Sequence, residues 1–193
     1  MDAIEKIEYR GLTIEACYDE GAQDPRADFD HLATMVCWHR RYDLGDKHRF
    51  ETPDEFLDWY KKNQVIILPV YIYDHSGITI STTSFMGRLP QGHAEFDSMH
   101  IGWIYMTNER FKAECVRPDG SKIKHLTRDD RERARRLMDD EIKEYNEYLS
   151  GQVYGYVVNG VDSCWGFYGE DGYKRMIEEA KEQIDLVLKG GPE

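Results

Sequence analysis

The chain has 193 residues, 40% of them apolar and 12% aromatic, enough for a sizeable core and too apolar for disorder. Its 37 acidic and 25 basic residues leave a net charge of −12, which repels phosphate backbones and disfavours direct DNA binding. No apolar run approaches the ~20 residues of a membrane span, and Met1-Asp2-Ala3-Ile4-Glu5-Lys6 lacks the basic-then-apolar order of a secretion signal. Cys17, Cys37, Cys115 and Cys164 lie far apart with no CxxC pair, as reduced thiols of a cytoplasmic protein would.

Residues 5–19 read as a β-hairpin. Ile7 and Tyr9 alternate before Arg10-Gly11, and Leu12, Ile14, Ala16 and Tyr18 continue the period of two. Residues 19–28 form a polar loop, and Phe29 to Trp38 fits helix or strand equally. Thr52-Pro53-Asp54-Glu55 starts a helix: Thr52 caps, Pro53 suits the first position and Glu55 completes a capping box. Val65 to Tyr73 is an apolar strand whose Pro69 demands a bulge or a local edge. Asp74-His75-Ser76-Gly77 turns the chain, and Ile78 to Phe85 returns beside it.

A loop follows over 86–99, then a strand over His100 to Thr107. Arg128 to Ser150 carries a helical stripe of Ala134, Met138, Ile142, Tyr145 and Leu149. Val153 to Val158 and Ser163 to Tyr168 form a second hairpin about Asn159-Gly160. The last helix, from about Gly172 to Leu188, turns Tyr173, Ile177, Ala180, Ile184 and Val187 inward, and Gly190-Gly191-Pro192 stops it. This order predicts one α+β domain over residues 1–193, a mainly antiparallel sheet of five to seven strands packed by three main helices.

Three segments concentrate polar and aromatic residues: Thr34 to Asp46, Leu68 to Thr79 and Asp162 to Gly169. Within the first, Trp38, His39, Arg40, Arg41 and Asp46, with His48 just beyond, admit two readings. They could form an anion or nucleotide pocket, with arginines for phosphate and an aromatic ring for stacking. They could equally form a buried network tying a loop to the sheet. Asp74, His75 and Ser76 look like a triad only in sequence, because catalytic groups must converge in space and hairpin tips favour these residues anyway. Asp162 and Trp165 complete the candidate ligand-binding cluster.

No histidine pair among His39, His48, His75, His93 and His100 has metal-binding spacing. No phosphate loop or dinucleotide fingerprint is present either. Neither a metal nor a cofactor is expected, and a binding protein is expected rather than an enzyme. On the long helix Arg131, Arg133, Arg135 and Arg136 precede a run of acids, with Arg135–Asp139 and Arg136–Asp140 as possible pairs. Asp139, Asp140, Glu144 and Glu147 are the candidate partner-binding acidic face.

The chain resembles a family found in phages, prophages and other mobile elements of bacteria. The resemblance runs through Tyr18-Asp19, Pro25-Arg26, Asp30-His31-Leu32, Thr34 to Tyr42 and Leu44 to His48. It continues through Leu68 to Thr79, Gly102 to Tyr105, Tyr148 to Gly151, Val153 to Val158 and Asp162 to Gly169. It departs at Met86 to Phe96, where similar proteins are shorter and carry a Cys-Pro-Trp-like stretch before Asp97-Ser98. The family transfers no reaction. It implies a mobile-element accessory protein in the host cytoplasm, whose partner would be a host defence or nucleic-acid-processing complex. Occupation of a basic surface by the acidic helices would be its mode of action. The alternative is an enzyme or binding protein for a nucleotide or small phosphorylated ligand.

Overall fold

The computed structural model describes residues 2–88 and 97–189. Most of the loop expected over 86–99, His93 and the Gly190-Gly191-Pro192 stop lie outside the described residues. The class is α+β, with two four-stranded antiparallel sheets where one sheet of five to seven strands was expected. The chain falls into two compact units, residues 1–25 with 147–193, and residues 26–146. None of the described helices is long and apolar enough to cross a membrane.

In the first unit the sheet order is β1 (Ala3–Tyr9), β2 (Leu12–Tyr18), β7 (Val153–Val158) and β8 (Asp162–Tyr168). Arg10 and Gly11, at φ 49° and 81°, make the two-residue turn between β1 and β2, and Tyr9 pairs with Leu12. The second hairpin has three loop residues instead, because Val158 pairs with Asp162 and only Gly160 takes positive φ. The final helix, α5 (Gly169–Lys189), begins three residues before its expected start. Its Met176, Ala180 and Ile184 pack with Ile14, Ala16, Tyr156, Val158 and Phe167 of the sheet. Val187 was expected to face inward; it is half exposed, with Leu186 and Leu188, because the buried stripe ends at Ile184.

In the second unit the order is β3 (Thr34–Cys37), β6 (Ser98–Thr107), β4 (Val65–Asp74) and β5 (Ile78–Ser81). Of the segment Phe29 to Trp38 that fitted helix or strand, only Thr34–Cys37 is strand, β3. Pro69 meets both of its expectations. The β4–β6 register shifts between Val70 and Tyr71, and β5 pairs only with Tyr71 to Asp74, leaving Pro69 at a local edge. β5 stops short of Phe85 because the hydroxyls of Ser81 and Ser84 take the N–H groups of Thr83 and Met86.

Helix α2 (Pro53–Lys62) starts as its capping residues require: Thr52 Oγ1 accepts from Glu55 N at 3.3 Å. The Glu55 carboxylate reaches back one residue further than a standard box, to Glu51 N at 2.8 Å. Phe56 from this helix is fully buried beside Val36 and Phe50, with Trp38, Trp59, Trp103 and Tyr105 around them. Two short helices, α1 (Pro25–Asp28) and α3 (Asn108–Glu114), were not anticipated.

The long helix α4 (Arg128–Leu149) buries Ala134, Met138, Ile142 and Tyr145 as its periodicity required. Its start is a reciprocal cap. Thr127 N and Oγ1 donate to Asp130 Oδ2 at 2.9 and 2.8 Å, and Thr127 Oγ1 accepts from Asp130 N. These bonds, with Arg117 at 3.1 Å, hold the Asp130 carboxyl down at about 2. A carboxyl lowered by folding contributes stability that is complete above its ordinary value of 3.8 and lost as pH falls through about 2. Asp130→Asn is expected to cost about 1 kcal/mol at neutral pH. Urea midpoints measured from pH 5 to pH 2 should fall less steeply in that variant.

Gly102 has no room for a side chain. A Cβ there would sit 2.0 Å from Val36 O and 2.8 Å from Cys37 Cα, both backbone atoms of β3. Gly102→Ala should therefore lower the unfolding free energy by about 1–3 kcal/mol. Gly77→Ala, with nothing within 4 Å of its Cβ, is the matched control for the same denaturation experiment.

Candidate functional site

The sheet order of the second unit brings the first two polar–aromatic segments together. β3 ends at Cys37 and delivers Trp38 to Tyr42, while β4 ends at Asp74. Between them opens a cavity of about 560 Å³ lined by Trp38, His39, Arg40, Arg41, Ile72, Asp74, Asp97 and Met99. That size is ordinary for a small-molecule site.

Trp38 is fixed before any ligand arrives. Its Nε1–H donates to Glu51 O at 3.1 Å, and its ring lies 6.1 Å from Trp103 and 4.9 Å from the His48 ring. His39 is oriented by backbone. Its Nδ1 accepts from the N–H groups of Arg41 and Tyr42, both at 3.3 Å, and its ring stacks on Tyr42 at 5.0 Å and 5°. With Nδ1 an acceptor, the neutral ring carries its proton on Nε2 as a donor.

The two arginines differ. Arg41 is engaged: Nη1 lies 3.1 Å from Asp74 Oδ2 and Nη2 donates to Tyr42 Oη at 2.9 Å. The Tyr42 hydroxyl in turn reaches Asp74 at 3.1 Å. Burial, and then this bond to Asp74, push the phenol above its ordinary value, so it remains a donor. Arg40 is exposed at the cavity and has no ionic or hydrogen-bonding partner among the described residues. Among the described residues it is the cavity cation without a counter-charge.

The remaining candidates sit elsewhere. Asp46 belongs to a buried network: Oδ1 accepts from Arg26 Nε at 3.0 Å, Oδ2 from Met35 N at 2.6 Å, and Arg26 Nη2 closes the pair. His48 ties its loop to β3, with Nε2 at 3.3 Å from Cys37 O. His75 Nδ1 meets Asp97 Oδ2 at 2.9 Å, and Ser76 occupies the turn at φ 59°, so the carboxylate on this histidine is Asp97 and not the adjacent Asp74. Asp162 and Trp165 lie in the first unit. Asp162 accepts from Tyr156 Oη at 2.6 Å, and the Trp165 ring covers Gly155, where a Cβ would come within 2.1 Å of it.

The acidic row on α4 is partly spent within the fold. Asp139 accepts from the Thr82 hydroxyl, and Arg135 pairs with Glu132 at 3.1 Å instead of with Asp139. The Glu147 carboxylate lies against Gly169 at the start of α5, filling the space a side chain there would need. An anion at a helix N-terminus is stabilised by the unpaired N–H groups. Asp140 is exposed and Glu144 half-buried.

Searches among protein-family models, curated proteins and solved structures find no match to this chain. The site therefore rests on its own geometry. Among the described residues no group of three or more His, Cys, Asp or Glu is placed to hold a metal ion. Burial pushes all four thiols up, Cys37 to about 12, which makes them poor nucleophiles at neutral pH.

Two cavity residues escaped the sequence reading. Asp97 immediately precedes β6 and Met99 lies near its start, and the pairing of β6 with β4 brings them to the site. Arg26 was also missed as a structural centre, since residues 19–28 read as a polar loop and its partners lie 20 and 115 residues away.

Proposed function

We propose that the protein binds a nucleotide or a comparably small phosphorylated ligand in the Trp38–Arg40 cavity. The observation carrying this reading is Arg40, a guanidinium with no counter-charge among the described residues, beside a fixed indole in a cavity of ligand size. Arg40 and the His39 Nε2–H would hold the phosphate; Trp38 and Met99 would flank a planar ring. Asp97 would accept from hydroxyl or amino groups. The Arg41–Tyr42–Asp74 clasp keeps the wall in place and leaves Arg40 to the ligand. Thermal-shift measurement across nucleoside mono- and diphosphates tests it: at least one should raise the melting temperature where its parent nucleoside does not. No stabilisation across the set would reject the reading.

A second reading has its own support. The protein would act as an accessory protein of a mobile element that occupies a basic surface of a host defence or nucleic-acid-processing complex. Its support is the distribution of charge. Residues 1–25 and 147–193 hold 16 acidic against 6 basic residues, a net of −10, whereas residues 26–146 hold 21 against 19, a net of −2. The acidity thus resides in the unit that lacks the cavity, and electrostatic complementarity would bring a basic partner there.

A further inference from the structure

We infer that the first unit docks a basic protein partner through a cleft bordered by Tyr18, Asp19, Glu20 and Tyr148, which receives an arginine side chain of that partner. The inference rests on the second reading and gives it a location. The cleft, about 460 Å³, is also lined by Leu149 and Gly151, and among the described residues no basic side chain lines it. Three of the six basic residues of this unit pair with its own acids: Lys6 with Glu15, Arg10 with Asp185, and Lys174 with Glu170. The charged side chains lining the cleft are Asp19 and Glu20, both acidic.

Charge alone would attract any cation; the aromatic wall narrows the choice. Tyr18 is half exposed, yet its ring is stacked on Tyr154 at 5.4 Å, its direct cross-strand partner. Tyr154 is itself held edge-on by Tyr173 at 5.0 Å. One face of Tyr18 is thus braced while much of its surface stays accessible, a platform that costs little entropy to use. Asp19 is equally prearranged. Its N–H donates to Val153 O at 2.8 Å and its Oδ1 accepts from Gly21 N at 3.0 Å, leaving Oδ2 for a donor. Glu20 is exposed and has no cationic partner among the described residues.

A planar guanidinium can stack on a tyrosine ring while its edge donates to a carboxylate. An ammonium has no plane to stack, so arginine suits this cleft better than lysine. The long stem of arginine would also cover the apolar Leu149 wall.

The probe is acetyl-(Gly-Arg)₅-amide, with its citrulline counterpart as a neutral isostere, titrated into the whole protein at low salt. Amide spectra read at Gly21 and Gly151 report the cleft. The arginine peptide should move both signals and the citrulline peptide neither. Tyr18→Ala and Glu20→Gln should each weaken binding at least three-fold, the second without disturbing the Tyr18–Tyr154 stack. Salt-sensitive binding that survives both substitutions unchanged would overturn the cleft while leaving the acidic-partner reading standing. Equal shifts with citrulline, or none with arginine, would overturn both.

Discussion

Arg26→Ala is expected to lower the unfolding free energy by about 3–5 kcal/mol, the usual result of breaking a buried ion network by removing one member. The Arg26 side chain is 1% exposed. Its Nε and Nη2 bond Asp46, Nη1 bonds Glu141 at 2.9 Å, and Nη2 also donates to Ala33 O at 2.9 Å. Burial disfavours the charged guanidinium, but its bonds to the Asp46 and Glu141 carboxylates more than offset this and raise its pKa. Removing it leaves two carboxylates facing each other in a poorly solvated site.

Replacing the whole network with apolar residues should not restore stability, although such swaps often do elsewhere. Asp46 also accepts from Met35 N, and Glu141 accepts from the N–H groups of Leu32 and Ala33 at 3.0 and 3.2 Å. Each carboxylate thus satisfies backbone that an aliphatic side chain would orphan. Urea denaturation decides the matter: the midpoint should fall for Arg26→Ala with little change in slope. A midpoint within experimental scatter of the parent would mean the network contributes nothing net.

Arg40→Gln should leave stability within about 0.5 kcal/mol of the parent, because the side chain is exposed and has no partner among the described residues. The same change should weaken binding of a phosphorylated ligand about 10- to 100-fold, the scale of losing a charge-assisted hydrogen bond. Arg41→Gln provides the contrast. It breaks the contacts with Asp74 and Tyr42, so it should loosen the wall and affect both stability and binding. Calorimetric titration paired with denaturation separates the two outcomes. Equal binding by parent and Arg40→Gln would remove Arg40 from the site.

What could be read in the sequence was local. The Thr52-Pro53-Asp54-Glu55 start, the Arg10-Gly11 turn and the α4 stripe depend on neighbours within one or two turns, so residue order suffices to specify them. The division of the strands into two sheets depends on partners far apart, such as Cys17 with Gly155, and periodicity carries no information about them. Val187 shows the same limit: its spacing is right for burial, but the buried stripe has already ended.

The polar cluster illustrates how two readings of one segment can divide residue by residue. Trp38, His39, Arg40 and Arg41 line the cavity, while Asp46 and His48, a few positions on, tie loops to β3. Nothing in composition separates the groups, because both uses demand hydrogen-bonding side chains beside aromatics. The sheet order decides, by placing β3 and β4 on either side of β6 with both running toward the cavity.

The most direct test of the cavity is methyl NMR of the methionines during nucleotide titration. Met99 is 55% exposed and lines the cavity, whereas Met138 and Met176 are fully buried in the two cores. A ring bound against Trp38 should move the Met99 methyl strongly by its ring current and leave Met138 and Met176 in place. A nucleotide set that leaves Met99 unmoved at millimolar concentration would contradict a phosphorylated-ligand site at Arg40.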